Sequence, residues 1–188
     1  MGRWEPNARE RLAQAALELY GERGYEQTTV AEIARRAGLT ERTYFRHYAD
    51  KREVLFGGSE ALRELLVNAV AEAPEPAAPM DLVVAGLDAV CAVFTDREWC
   101  RRRQAVVMAN AELRERELIK LASLAATLAE ALRGRGVPEP AASLASEAGI
   151  AVFKVGFERW VAPAEERTLA QLVRESLEEL RAVTAGGD

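Results

Sequence analysis

Cysteine and histidine are scarce: Cys91, Cys100 and His47 are the whole supply in 188 residues. Two thiols are too few for a disulfide framework, and with one imidazole they make a poor metal set. Both cysteines therefore read as core thiols, and neither a metal site nor a cofactor is expected. Long apolar runs are missing as well. No stretch approaches the roughly 18 uninterrupted apolar residues of a membrane span. The opening MGRWEPNARERL is charged where a signal peptide would be apolar. The expectation is a cytoplasmic protein with no membrane partner. A Gly-rich phosphate loop, a GxSxG elbow, a paired HxxxH and an acidic metal-binding cluster are all absent, so no catalytic residues and no enzyme are expected.

What the sequence does have is helical periodicity, with hydrophobic residues making up 49% of the chain. Nothing of useful length alternates apolar and polar residues as a half-buried strand would, so the fold class is all-α. Asn7 with Glu10 predicts a cap for a first helix whose stripe is Leu12, Ala15, Ala16 and Leu19, ending at Gly21 and Gly24. Thr29 with Glu32 repeats that capping spacing before Val30, Ile33, Ala34 and Ala37, and Gly38 stops this second helix. Thr40 caps a third, carrying Tyr44, Phe45 and Tyr48. Asp50 with Glu53 predicts the start of a long fourth helix through Val54, Leu55, Leu62, Leu65, Leu66 and Ala69. The segment APEPAAP, 73–79, is the clearest break, because prolines remove amide donors and disfavour helix before each ring.

Net charge is −5, which is unexpected for a nucleic-acid binder, but the charge is unevenly distributed. Residues 1–57 carry +1 and residues 58–188 carry −6. Within 35–52, Arg35, Arg36, Arg42, Arg46, Lys51 and Arg52 face only Glu41 and Asp50, a local +4. Residues 29–48 have helix-turn-helix grammar: a capped short helix, a turn containing Gly38, and a second helix that can enter the major groove. Ala34, four residues before Gly38, lets the helices cross closely, and Ile33, Ala37, Leu39 and Tyr44 are their predicted shared core.

The stretch TTVAEIARRAGLTERTYFRHYADKREVLF resembles the signature of the TetR family of bacterial regulators, and the preceding ALELYGERGYEQTT fits it too, over roughly residues 7–60. That resemblance implies a three-helix DNA-binding domain, 1–57, followed by a helical effector-binding and dimerisation domain, 58–188. It places Arg42, Thr43, Arg46 and His47 at base edges or in the groove, with Tyr44 and Phe45 on the same helix. It makes Thr29, Thr40 and Lys51 the phosphate holders. Arg42 and Arg46 lie one turn apart, and each reads a guanine or holds a phosphate. Phe45 stands where relatives often have tyrosine, which leaves only apolar contact with a sugar or a thymine methyl group.

The second block predicts helices around Met80–Phe94, Glu98–Ala109 and Leu118–Leu132. A two-faced helix at 141–161 follows, with Leu144, Ala148, Val152 and Val155 on one side and Ile150, Phe153, Phe157 and Trp160 on the other. A last helix carries Leu169, Leu172, Val173, Leu177 and Leu180. Phe94, Trp99, Met108, Phe153, Phe157 and Trp160 are either plain core or the walls of an effector pocket. Of Arg101, Arg102 and Arg103, one points inward to hold an anion, with Arg102 the candidate, or all are solvated. Residues 100–137 resemble sensor domains that take acyl-coenzyme-A-like ligands. The implied function is a homodimeric repressor, released from a palindromic double-stranded operator by a small apolar or amphipathic effector, with coupling through the fourth helix. An activator fits the same sequence; the alternatives from other classes are an α-helical enzyme or cofactor carrier using the C-terminal cavity, for which a metal or haem ligand set is missing, and a helical adaptor that binds only protein.

Overall fold

The computed structural model describes residues 8–185, so the predicted cap Asn7 lies outside the described residues. These residues form nine α-helices and no strands: α1 (Ala8–Arg23), α2 (Val30–Arg36), α3 (Glu41–His47), α4 (Ser59–Glu72), α5 (Pro79–Ala92), α6 (Arg97–Ala109), α7 (Ala111–Gly134), α8 (Ala141–Trp160) and α9 (Leu169–Thr184). They cluster into two compact units. The first runs to Gly58 and takes in Arg102–Glu117; the second holds Ser59–Arg101 and the chain from Leu118 onward. Most of α6 and the start of α7, expected in the second domain, thus belong to the first unit.

In the first unit Leu12, Ala16 and Leu19 of α1 are buried with Ile33 and Ala34 of α2 and Tyr44 of α3. Ala37 is buried with them, and Leu39 is half-buried. In the second unit α4 packs on α5, and α8 packs on both α5 and α9. Leu66, Val83, Leu128, Leu132 and Leu172 form the dry centre. Cys91 and Cys100 join that core, where burial pushes the Cys91 thiol up to about 12. On α8, Ile150, Phe153 and Trp160 face inward as expected. Val152 turns inward too, leaving Leu144 (67% exposed) and Val155 (49%) on the uncovered side.

The fourth helix departs from expectation. The Asp50 carboxylate accepts from the amides of Arg52 at 2.8 Å and Glu53 at 3.2 Å, as a cap should. The chain then makes only a 3-10 turn, Glu53–Leu55, and α4 begins afresh at Ser59. Two adjacent glycines, each costing about 1 kcal/mol relative to alanine in a helix interior, explain the break. A Cβ at Gly57 would also lie 2.9 Å from the Tyr48 ring. Among the described residues no helix is long and apolar enough to cross a membrane.

Candidate nucleic-acid interface

The turn between α2 and α3 is built from its backbone bonds. The Leu39 amide donates to the Ala34 carbonyl at 2.8 Å and the Gly38 amide to that of Arg35 at 3.0 Å. Two of the orphan carbonyls of the α2 end are satisfied in this way, at the cost of a left-handed residue, which is Gly38 at φ +67°. Arg11 of α1 donates to the Ala37 carbonyl at 2.5 Å and closes the same corner. At the other ends, Thr29 and Glu32 form a reciprocal capping box, and the Thr40 hydroxyl accepts from the Thr43 amide at 3.2 Å. Each cap stabilises by about 1 kcal/mol.

With its base fixed, α3 presents Glu41, Arg42, Phe45 and Arg46 to solvent. Thr29 and Thr40 are also exposed, and Thr43 is half-buried with its hydroxyl 3.0 Å from that of Thr40. Three of the six basic residues counted in the patch are drawn away from it. Arg36 pairs with Glu18 and Glu22 of α1, Arg52 pairs with Asp50, and Lys51 turns inward. Arg35, Arg42 and Arg46 remain exposed.

Two of the expected contact residues point inward. Tyr44 is fully buried and its hydroxyl donates to the Asp50 carbonyl at 3.0 Å, so it positions the helix and does not reach outward. Lys51 is turned away from the exposed face: its ammonium donates to the Tyr25 carbonyl at 2.9 Å and the Thr28 carbonyl at 3.4 Å, and sits 4.1 Å from the centre of the Tyr25 ring. Lys51→Ala strands both carbonyls, and the expected result is a loss of about 1–3 kcal/mol in urea unfolding. An unchanged midpoint would show that these bonds carry no weight.

His47 is half-buried, and its Nε2 is buried without a partner. Burial first, then the cations of Arg46 and Arg9, hold its pKa below the usual imidazole value, so it is neutral at pH 7 and adds no charge to the face. Arg9 is a neighbour that sequence spacing does not reveal. The Tyr48 hydroxyl donates to the Arg9 carbonyl at 3.3 Å and so brings the start of α1 beside the end of α3.

The candidate effector residues divide. Phe94, Phe153, Phe157 and Trp160 form one aromatic cluster in the second unit, with Phe94 5.7 Å from Phe157 and 5.9 Å from Phe153 between ring centres. Trp99 packs against the same core. Met108 (53% exposed) and Arg102 lie on the surface and belong to the first unit. The cleft between α5, α8 and α9, lined by Val84, Leu87, Val152, Val173 and Leu177, encloses only about 10 Å³. That is at most the room for one water.

Residues 12–56 match the sequence profile described as "Bacterial regulatory proteins, tetR family". The HTH-type transcriptional regulator TcmR of Streptomyces glaucescens is 35% identical over 108 residues, 57% of this chain and 48% of that protein. This chain therefore spans about half the length of that curated relative. Among solved structures, the TetR-family repressor FadR of Thermus thermophilus, in complex with lauroyl-CoA, is 25% identical with a TM-score of 0.57, each chain covered to 96%. Residues 12–56 are therefore a TetR-family DNA-binding segment. The transcriptional regulator FadR of Bacillus subtilis, in complex with stearoyl-CoA, shares this fold at 22% identity and a TM-score of 0.59, with 91% of this chain and 96% of that one covered.

The inward member of the arginine triplet is Arg103. It donates to the Leu55 carbonyl at 2.9 Å and to Glu117 at 2.6 Å. Its guanidinium lies 4.7 Å from the centre of the Phe56 ring, and Arg116, held by Glu53, lies 4.9 Å from the same ring. The anion that Arg103 holds is a side chain of the protein itself. The signal that could have found this arginine is spacing: Arg103 lies three residues after buried Cys100 and four before buried Val107, on a helical stripe that Arg101 and Arg102 miss.

Proposed function

We propose that this protein is a ligand-responsive, DNA-binding repressor that works in the cytoplasm as a homodimer and leaves a palindromic operator when a small effector binds. The observation that carries the reading is the exposed trio Arg42, Phe45 and Arg46 on a short helix whose buried side is fixed by Tyr44 and Gly38. Cations and an aromatic ring on a helix of this size suit the major groove, and the TetR-family profile match over residues 12–56 supports the same use. The DNA-binding part is residues 1–57 with most of α6 and the start of α7, and the rest serves effector and partner. Leu144 and Val155 on the open side of α8 supply apolar surface for a two-fold contact.

The effector is assigned to long-chain acyl thioesters, on the likeness to the Thermus thermophilus repressor solved with lauroyl-CoA. The rings of Phe94, Phe153 and Phe157 stand in contact, so an acyl chain must part them to enter. Binding then favours one protein conformation over the other. Lauroyl-CoA is expected to release duplex DNA retarded by the protein, and saturating duplex is expected to weaken lauroyl-CoA binding by the same factor. Retardation that no acyl-CoA alters would end the effector assignment and leave the DNA-binding reading standing.

A further inference from the structure

On α3 one exposed side chain cannot hydrogen-bond. Phe45 is 54% exposed, among the exposed large hydrophobic residues of the protein, while its neighbour Tyr44 is fully buried. The Phe45 ring rests edge-on against Tyr44 at 5.6 Å and 77°. Tyr44 is in turn fixed by its bond to the Asp50 carbonyl and by the Tyr48 ring at 5.5 Å. The phenyl group is therefore held on a rigid base and aimed outward before any partner arrives.

Its flanks are charged: Arg42 lies three residues before it and Arg46 directly after, both exposed. In a major groove the arginines have guanine edges and phosphates to bond, whereas a phenyl ring gains nothing from any of these. The one apolar group that the base-pair edges display there is the 5-methyl group of thymine. We propose that Phe45 is a specificity-determining residue that packs on a thymine methyl group in each operator half-site, next to the bases reached by Arg42. The inference rests on the DNA-binding reading above.

The test begins with duplexes selected from a random pool by the full chain, in which each half-site is expected to keep a thymine beside the arginine contacts. Replacing that thymine by deoxyuridine removes only the methyl group. The parent protein should then bind about fourfold more weakly per altered half-site, the worth of one buried methyl. Phe45→Ala should bind thymine and uracil duplexes equally, and Phe45→Leu should keep part of the difference. Because Phe45 is exposed, both variants should fold, which circular dichroism checks. Equal binding of the two duplexes by the parent protein, or an unchanged difference in Phe45→Ala, overturns the inference while DNA binding itself survives. A pool in which no duplex is enriched overturns the DNA-binding reading, and this inference with it.

Discussion

Arg103→Ala is expected to destabilise the protein by about 3–5 kcal/mol, the usual cost of removing one partner from a buried ion pair. Arg103 is 7% exposed, and it is bonded to both Glu117 and the Leu55 carbonyl. Its loss strands a half-buried carboxylate and a backbone acceptor together, and takes one of two guanidinium groups from the Phe56 ring. The carboxylate accounts for most of the penalty. The double variant Arg103→Met with Glu117→Leu should therefore recover most of the loss, since apolar replacement of a whole buried pair is often neutral. Urea unfolding of the parent and both variants decides the matter. A loss below about 1 kcal/mol for Arg103→Ala, a value typical of exposed pairs, would contradict it.

The second large effect concerns the exposed arginines. Arg42→Ala combined with Arg46→Ala is expected to lower affinity for the selected duplex by at least about a hundredfold, because removing one guanine-reading side chain costs about 1–3 kcal/mol and a dimer gives up four such side chains. The single variants separate base reading from phosphate holding. A guanine reader relaxes preference at one base pair and leaves the salt dependence alone, whereas a phosphate holder flattens the log-log slope with salt by about 0.9 per phosphate. Anisotropy titrations of parent and variants at several salt concentrations measure both. Unchanged affinity in the double variant would remove α3 from the interface.

The features legible in the sequence were those fixed by neighbours along the chain. Thr29 with Glu32, Thr40, and Gly38 at its left-handed φ announce the ends of α2 and α3, because capping acts over three or four residues. The inward turn of Lys51 was not legible, since its acceptors, Tyr25 and Thr28, lie more than 20 residues away. For Arg103 the inward direction was legible in its spacing from Cys100 and Val107, but its acceptor, the Leu55 carbonyl 48 residues earlier, was not. The break ahead of α4 was written in Gly57–Gly58, but the cap at Asp50 and the apolar periodicity beyond it masked the signal. In the second unit the aromatic residues were recognised as a group. Whether such a group encloses space depends on how the side chains meet, and here Phe94, Phe153 and Phe157 touch.

The central claim is sequence-specific DNA binding by a two-fold dimer, and the most direct test is selection of duplexes from a random pool by the full chain, followed by sequencing of the bound fraction. The expected result is an enriched inverted repeat whose half-sites are centred about one helical turn apart, or a multiple of it. A bound fraction indistinguishable in sequence from the starting pool would contradict the account.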